Sequence, residues 1–122
     1  MEEIIQKHHV SFKNAFSGLF WALKTQPNFR IHLSIATAVV VLGLYVGLTS
    51  YEWLILTFTI FWALAAEMIN TAIEAVCDLV THEWKEEIKI AKDVSAAMML
   101  VTALGSAIIA AIIFLPKLIV LM

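Results

Sequence analysis

From Tyr51 to about Val80 the chain runs through a single apolar segment of roughly 30 residues, about 45 Å long if helical. A lipid hydrocarbon core is only about 30 Å thick. The segment is therefore predicted to cross a membrane and to project one end into the interface. That end is charged, because the apolar run Trp53 to Ala66 gives way to Glu67, Asn70, Thr71, Glu74 and Asp78. Two further apolar segments flank it, from about Ile31 to Leu48 and from Val94 to Leu115, the latter expected to stop near Pro116-Lys117. All three runs are too long for strands and lack period-2 alternation. The chain is 61% hydrophobic and 15% charged, with a mean hydropathy of +0.89, where a soluble domain is about 45–50% apolar. The expected fold is an all-α membrane protein forming one domain over residues 1–122.

Residues 1–9 are polar and expected to fray, and they lack the apolar centre of a signal peptide. The chain is thus expected to insert without cleavage. Over residues 10–25, Phe12, Phe16, Leu19, Phe20 and Leu23 recur at helical spacing between Lys13, Asn14, Ser17 and Lys24. This pattern predicts an amphipathic helix lying in the membrane surface. Pro27, between Gln26 and Asn28, marks a turn before the first span.

The distribution of cations predicts the orientation. Lys7, Lys13, Lys24 and Arg30 precede the first span, and Lys85, Lys89 and Lys92 lie between the second and third. The turn from Thr49 to Glu52 has neither Lys nor Arg, while Tyr45, Tyr51 and Trp53 suit an outer aromatic belt. The N-terminus and the loop 81–93 are expected to be cytoplasmic, and the C-terminus outside despite Lys117. The net charge of −2 and the absence of a basic block argue against a nucleic-acid partner. One cysteine, Cys77, excludes an intrachain disulfide and reads as a small buried hydrophobe.

At about 100° per residue, the five polar residues from Glu67 to Asp78 share roughly a third of the helix circumference. A charge at the bilayer centre costs about 2.5–3.5 kcal/mol on insertion scales, so three acids on one stripe require a role. They could serve as interhelical hydrogen-bonding groups, helped by Ala103, Ala107 and Ala111 at four-residue spacing on the third span. Five polar residues followed by Lys92-Asp93 suit chemistry better. A carboxylate held away from water can take a proton from an alcohol. A carboxylate nearer the cytoplasm can hold Mg²⁺. A lysine can neutralise phosphate as a point cation. These are the parts of a phosphoryl transfer. The four glycines form neither a P-loop nor a protein-kinase glycine loop. The four histidines do not form a metal-binding spacing.

Glu67-Met68-Ile69-Asn70-Thr71-Ala72-Ile73-Glu74, with Asp78 and then Ala91-Lys92-Asp93, resembles the prokaryotic diacylglycerol kinase family of small membrane lipid kinases. The resemblance spans about residues 10 to 115. Asn28-Phe29-Arg30-Ile31-His32 and Ile90-Ala91-Lys92-Asp93-Val94 look like its Gram-positive, undecaprenol kinase branch. The resemblance implies Glu67 as general base, Asn70 as the residue that orients the site, and Glu74 as a metal ligand. It implies nucleotide contacts from Asn14, Glu83, Trp84 and Lys85, with Trp84 able to stack on adenine, and from Lys92 and Asp93. Gln26 stands where the family has its other metal-binding glutamate. Its amide oxygen can ligate Mg²⁺ but brings no charge, so either it serves weakly or Asp78 or another acid compensates.

The resemblance further implies ATP and Mg²⁺, a membrane lipid substrate and a homotrimer with sites between subunits. Oligomerisation also follows from the stripe, which three spans cannot easily shield. Undecaprenol is the expected lipid and diacylglycerol the alternative, at a site on the cytoplasmic face of the bacterial cytoplasmic membrane. A non-enzymatic proton pathway would need charges across the whole membrane, and Trp53 to Ala66 carry none. A small assembly subunit would explain the hydrophobicity but not the stripe together with Lys92-Asp93.

Overall fold

The computed structural model describes residues 12–122, and among them it is entirely helical. Four helices follow in order: α1 (Phe12–Thr25), α2 (Pro27–Val46), α3 (Ser50–Val80) and α4 (Glu86–Leu121). The last three are long and apolar enough to cross a membrane. Expectations for residues 1–11, including the start of the surface helix and the contribution of Lys7 to orientation, lie outside the described residues.

α1 is amphipathic and too short to span. Its Ala22 is buried, while Phe12, Phe16 and Phe20 leave more than half their surface exposed. An uncovered apolar face of this kind suits contact with the acyl region of a bilayer surface. The break after α1 is one residue long. Gln26 takes an extended conformation, and Pro27 opens α2 rather than sitting in a separate turn. Proline is tolerated there because the first helical N–H groups have no intrahelical partner. α2 therefore starts before Ile31, and it ends at Gly47, whose φ of 72° gives the left-handed C-cap.

Two residues later Thr49 starts α3 through a reciprocal cap. The Glu52 N–H donates to Thr49 Oγ1, and the Thr49 N–H donates to Glu52 Oε2 at 2.7 Å. Glu52 is also 3.1 Å from Lys117 Nζ, which reaches the Gly47 carbonyl at 3.5 Å. Lys117 thus binds the end of α4 to the α2–α3 turn, where the terminal carbonyls of α2 favour a cation.

α4 differs from the expected third span at both ends. It begins at Glu86, so only residues 81–85 separate it from α3, and it continues through Pro116 to Leu121. Proline removes one backbone hydrogen bond from a helix interior. Here the apolar residues beyond it and the Lys117 anchor sustain the helix. α3 and α4 form the principal antiparallel pair, with α2 packed more lightly against both. Leu56, Ile113 and Phe114 make the core, backed by Val39, Val46 and Trp53. Ala103, Ala107 and Ala111 do not supply the α3–α4 seam: all three are exposed, and the buried residues of α4 are Ser95, Thr102, Ile113 and Phe114.

A Gly47→Ala substitution places a Cβ in the left-handed region and is expected to lower unfolding free energy in detergent by about 1 kcal/mol. An unchanged unfolding midpoint would contradict this account of the α2–α3 turn.

Candidate active site

The polar stripe of α3 is graded along its length. Glu67 and Asn70 keep 3% and 7% of their surface, Thr71 is half-buried, and Glu74 and Asp78 are exposed. Depth explains the gradient. With Tyr51, Trp53 and the Glu52–Lys117 pair at one interface, a 30 Å hydrocarbon layer takes about 20 residues, from near Leu54 to near Glu74. Glu67 and Asn70 then lie within that layer, where polar groups must be covered by protein. Glu74 lies at its edge, and Asp78 lies beyond it in water.

α4 covers the deep part. Ser95, itself 3% exposed, donates its hydroxyl to Asn70 Oδ1 at 2.6 Å. Asn70 in turn donates from Nδ2 to Glu74 Oε1 at 3.0 Å, one turn along its own helix. The amide is held from both sides, and the Glu74 carboxylate is oriented by it. One turn further, Lys92 Nζ donates to Asp78 Oδ1 at 2.6 Å. Asn70, Glu74 and Asp78 thus form a row on α3 that faces Lys92 and Ser95 on α4. Asp93 does not share this seam and pairs with Lys89 on its own helix. Successive helical residues point about 100° apart, so the Lys92-Asp93 doublet is divided between two faces.

Beyond the seam, the 81–85 link curls over a cavity of about 310 Å³. Asp78, Glu83, Trp84, Lys85, Lys92 and Asp93 all border it. The Glu83 N–H donates to Thr81 Oγ1 at 3.0 Å, which shapes the link. Trp84 is 75% exposed and presents an open aromatic face. The structure therefore gathers most of the residues expected to contact nucleotide around one cavity.

Asn14 and Gln26 are not gathered with them. Asn14 is exposed on α1, and the Gln26 side chain donates to Thr25 Oγ1 at 3.3 Å. Among the described residues, no group of three or more His, Cys, Asp or Glu side chains forms a metal centre. An exposed carboxylate with one oxygen fixed by Asn70 nevertheless fits Mg²⁺, which commonly uses one or two carboxylates, water and substrate phosphates.

Two participants were not assigned from sequence. Ser95 could have been found from Lys92, Ser95, Thr102 and Ser106, which recur at helical spacing on α4. His32 offers no such signal. It lies on α2, and only packing brings its Nε2 to 3.9 Å from Glu67 Oε2.

The sequence pattern of the family described as prokaryotic diacylglycerol kinase matches residues 13–114. The chain belongs to the prokaryotic diacylglycerol kinase family. It is 40% identical over 108 residues to the undecaprenol kinase of Bacillus subtilis, covering 88% of each chain. It is 37% identical over 114 residues to a diacylglycerol kinase of Synechocystis sp., covering 93% of this chain and 65% of that one. A diacylglycerol kinase of Haemophilus influenzae is 29% identical over 91 residues, covering 75% of this chain and 77% of the other. The family is one of lipid kinases, so this membrane protein is an enzyme whose implied phosphate donor is ATP and whose acceptor is a lipid.

Removing the Ser95 hydroxyl leaves Asn70 Oδ1 without its donor at hydrocarbon depth. Ser95→Ala is expected to cost about 1–3 kcal/mol of stability in detergent or bicelles. A variant as stable as the parent would show that α4 does not hold Asn70 through this bond.

Proposed function

We propose that this kinase transfers the γ-phosphoryl group of ATP to the hydroxyl of undecaprenol at the cytoplasmic face of the bacterial cytoplasmic membrane. The observation that carries the reading is the graded stripe. A buried carboxylate lies at lipid depth, and a polar row leads from it to a wet cavity bordered by an aromatic ring and cations. A kinase acting on a lipid must join an apolar acceptor to a polyanionic donor across just such a boundary.

In this reading Glu67 accepts the proton of the lipid hydroxyl as its oxygen attacks the γ-phosphorus. The bond from that phosphorus to the bridging oxygen breaks, and ADP leaves with the electron pair. Asn70 orients the site, and Ser95 holds Asn70 in place. Glu74 would hold Mg²⁺, with Gln26 or Asp78 as further candidate ligands. Bound there, the metal would neutralise charge on the phosphate oxygens. Lys92 exchanges its contact with Asp78 for phosphate. Trp84 stacks on the base, while Glu83, Lys85, Asp93 and Asn14 complete the nucleotide contacts. A homotrimer with sites between subunits would bring α1 of one protomer, with Asn14, toward the stripe of another. It would also cover the apolar surface that each protomer leaves exposed.

Undecaprenol is preferred on the Bacillus subtilis relative and the branch-like segments around Phe29 and Lys92. Diacylglycerol is the second reading, favoured by the names of the other two relatives. The test is phosphorylation of both lipids by purified protein with ATP and Mg²⁺. Undecaprenyl phosphate is expected as the main product, and Glu67→Gln is expected to reduce turnover by about 10²–10⁴-fold. Faster phosphorylation of diacylglycerol would reverse the choice of lipid. Full activity of the glutamine variant would remove Glu67 as the base.

A further inference from the structure

Glu67 raises a problem that its proposed role does not solve. A base that accepts one proton per turnover must release it before the next, and this base is almost wholly enclosed. Its side chain keeps 4% of its surface, against 25% for the His32 side chain beside it. Among the described residues, His32 is the one ion-pair partner of Glu67. The other acid facing the same region, Glu74, lies two turns along α3 and is hydrogen-bonded to Asn70. It is also the proposed metal ligand, which makes it a poor proton acceptor. No lysine or arginine of the described residues forms an ion pair with Glu67.

Position supports the same residue. His32 lies near the start of α2, one turn beyond buried Phe29, and it borders an apolar groove of about 270 Å³ between α2, α3 and α4. It therefore stands beside the carboxylate with part of its side chain uncovered, five residues from the N-terminal end of α2, which gives the proton a short way to the interface. Imidazole can accept a proton at one nitrogen and return it near neutral pH, which no aliphatic or amide side chain can do. At 3.9 Å the pair is too long for a direct hydrogen bond, and one bridging water or a small side-chain rotation would connect it.

We propose that His32 is a positioning residue for the kinase reaction, serving as the proton outlet of Glu67. This rests on the reading of Glu67 as the base. The lipid hydroxyl proton passes to Glu67 during phosphoryl transfer. It then moves from the Glu67 carboxyl to His32 Nε2, directly or through one water, and from the imidazolium to bulk water. Both residues return to their starting states and nothing is oxidised or reduced.

The experiment compares wild type, His32→Gln and His32→Ala in lipid phosphorylation, with thermal unfolding measured for each. Glutamine keeps a polar group of similar reach but cannot carry the proton. Both variants are expected to lose about tenfold or more in kcat while the KM for ATP stays close to that of wild type. Added imidazole is expected to restore turnover of folded His32→Ala in a concentration-dependent manner and to leave wild type unchanged. A merely structural histidine would not respond to a free base in this way. Wild-type turnover by folded His32→Gln, or no response of folded His32→Ala to imidazole, would overturn the proposal. The wild-type and Glu67→Gln controls separate the two claims. If wild type phosphorylates no lipid, or Glu67→Gln remains active, the underlying reading fails. If those controls behave as expected and His32→Gln is fully active, only the outlet fails.

Discussion

The hydrogen bond from Ser95 to Asn70 is the contact on which the site depends. It lies where a membrane helix can least tolerate an uncovered amide, and it joins the two helices that carry the candidate chemistry. With it, Asn70 turns its donor side toward Glu74, and the polar row continues outward to Asp78 and Lys92. Without it, the amide would keep only its bond to Glu74, and its buried oxygen would be left without a donor. A buried polar group is costly when unpaired, so the same bond that serves the site also specifies how α3 and α4 dock.

That docking is fixed at two distant points. Glu52 meets Lys117 at one end of the α3–α4 pair, and Asp78 meets Lys92 at the other. The two contacts are separated by nearly the same number of residues on each helix, as an antiparallel pair in constant register requires. Between them, Leu56, Ile113 and Phe114 supply the apolar packing. The rigid apolar end thus sets the register of the polar end. α2 is joined to the first anchor through Gly47 and carries His32 to Glu67 at its other end.

Much of this was legible in the sequence, because length and periodicity are strong signals in an apolar chain. The three spans and the shared face of Glu67, Asn70, Thr71, Glu74 and Asp78 follow from them. Helix limits were less legible. Proline at 27 and 116 suggested breaks, yet the first opens α2 and the second lies inside α4. Pro27 occupies the first helical turn, where its missing N–H costs nothing, and at Pro116 the Lys117 anchor and the apolar residues beyond it outweigh the tendency to break the helix. The alanine repeat of α4 suggested a packing seam, whereas the buried polar residues of α4 are Ser95, which meets Asn70 on α3, and Thr102, whose hydroxyl donates to the Met98 carbonyl of its own helix. The approach of His32 to Glu67 had no local signal, since it arises from packing between separate helices. The expected roles of Asn14 and Gln26 came from resemblance alone, and neither side chain is hydrogen-bonded to the stripe among the described residues.

The central claim is that α3 crosses the membrane boundary near Glu74, so that lipid chemistry and nucleotide chemistry meet on one helix. Electron paramagnetic resonance in bilayers tests it directly. Single nitroxides would be placed at the exposed positions Phe61, Ile69, Val76 and Val80 in a Cys77→Ser background. Collision rates with oxygen would be compared with those of a water-soluble nickel complex. The account predicts that oxygen dominates at Phe61 and Ile69 and the nickel complex at Val76 and Val80. Oxygen dominance persisting through Val80, or nickel access already at Phe61, would place the boundary elsewhere and contradict it.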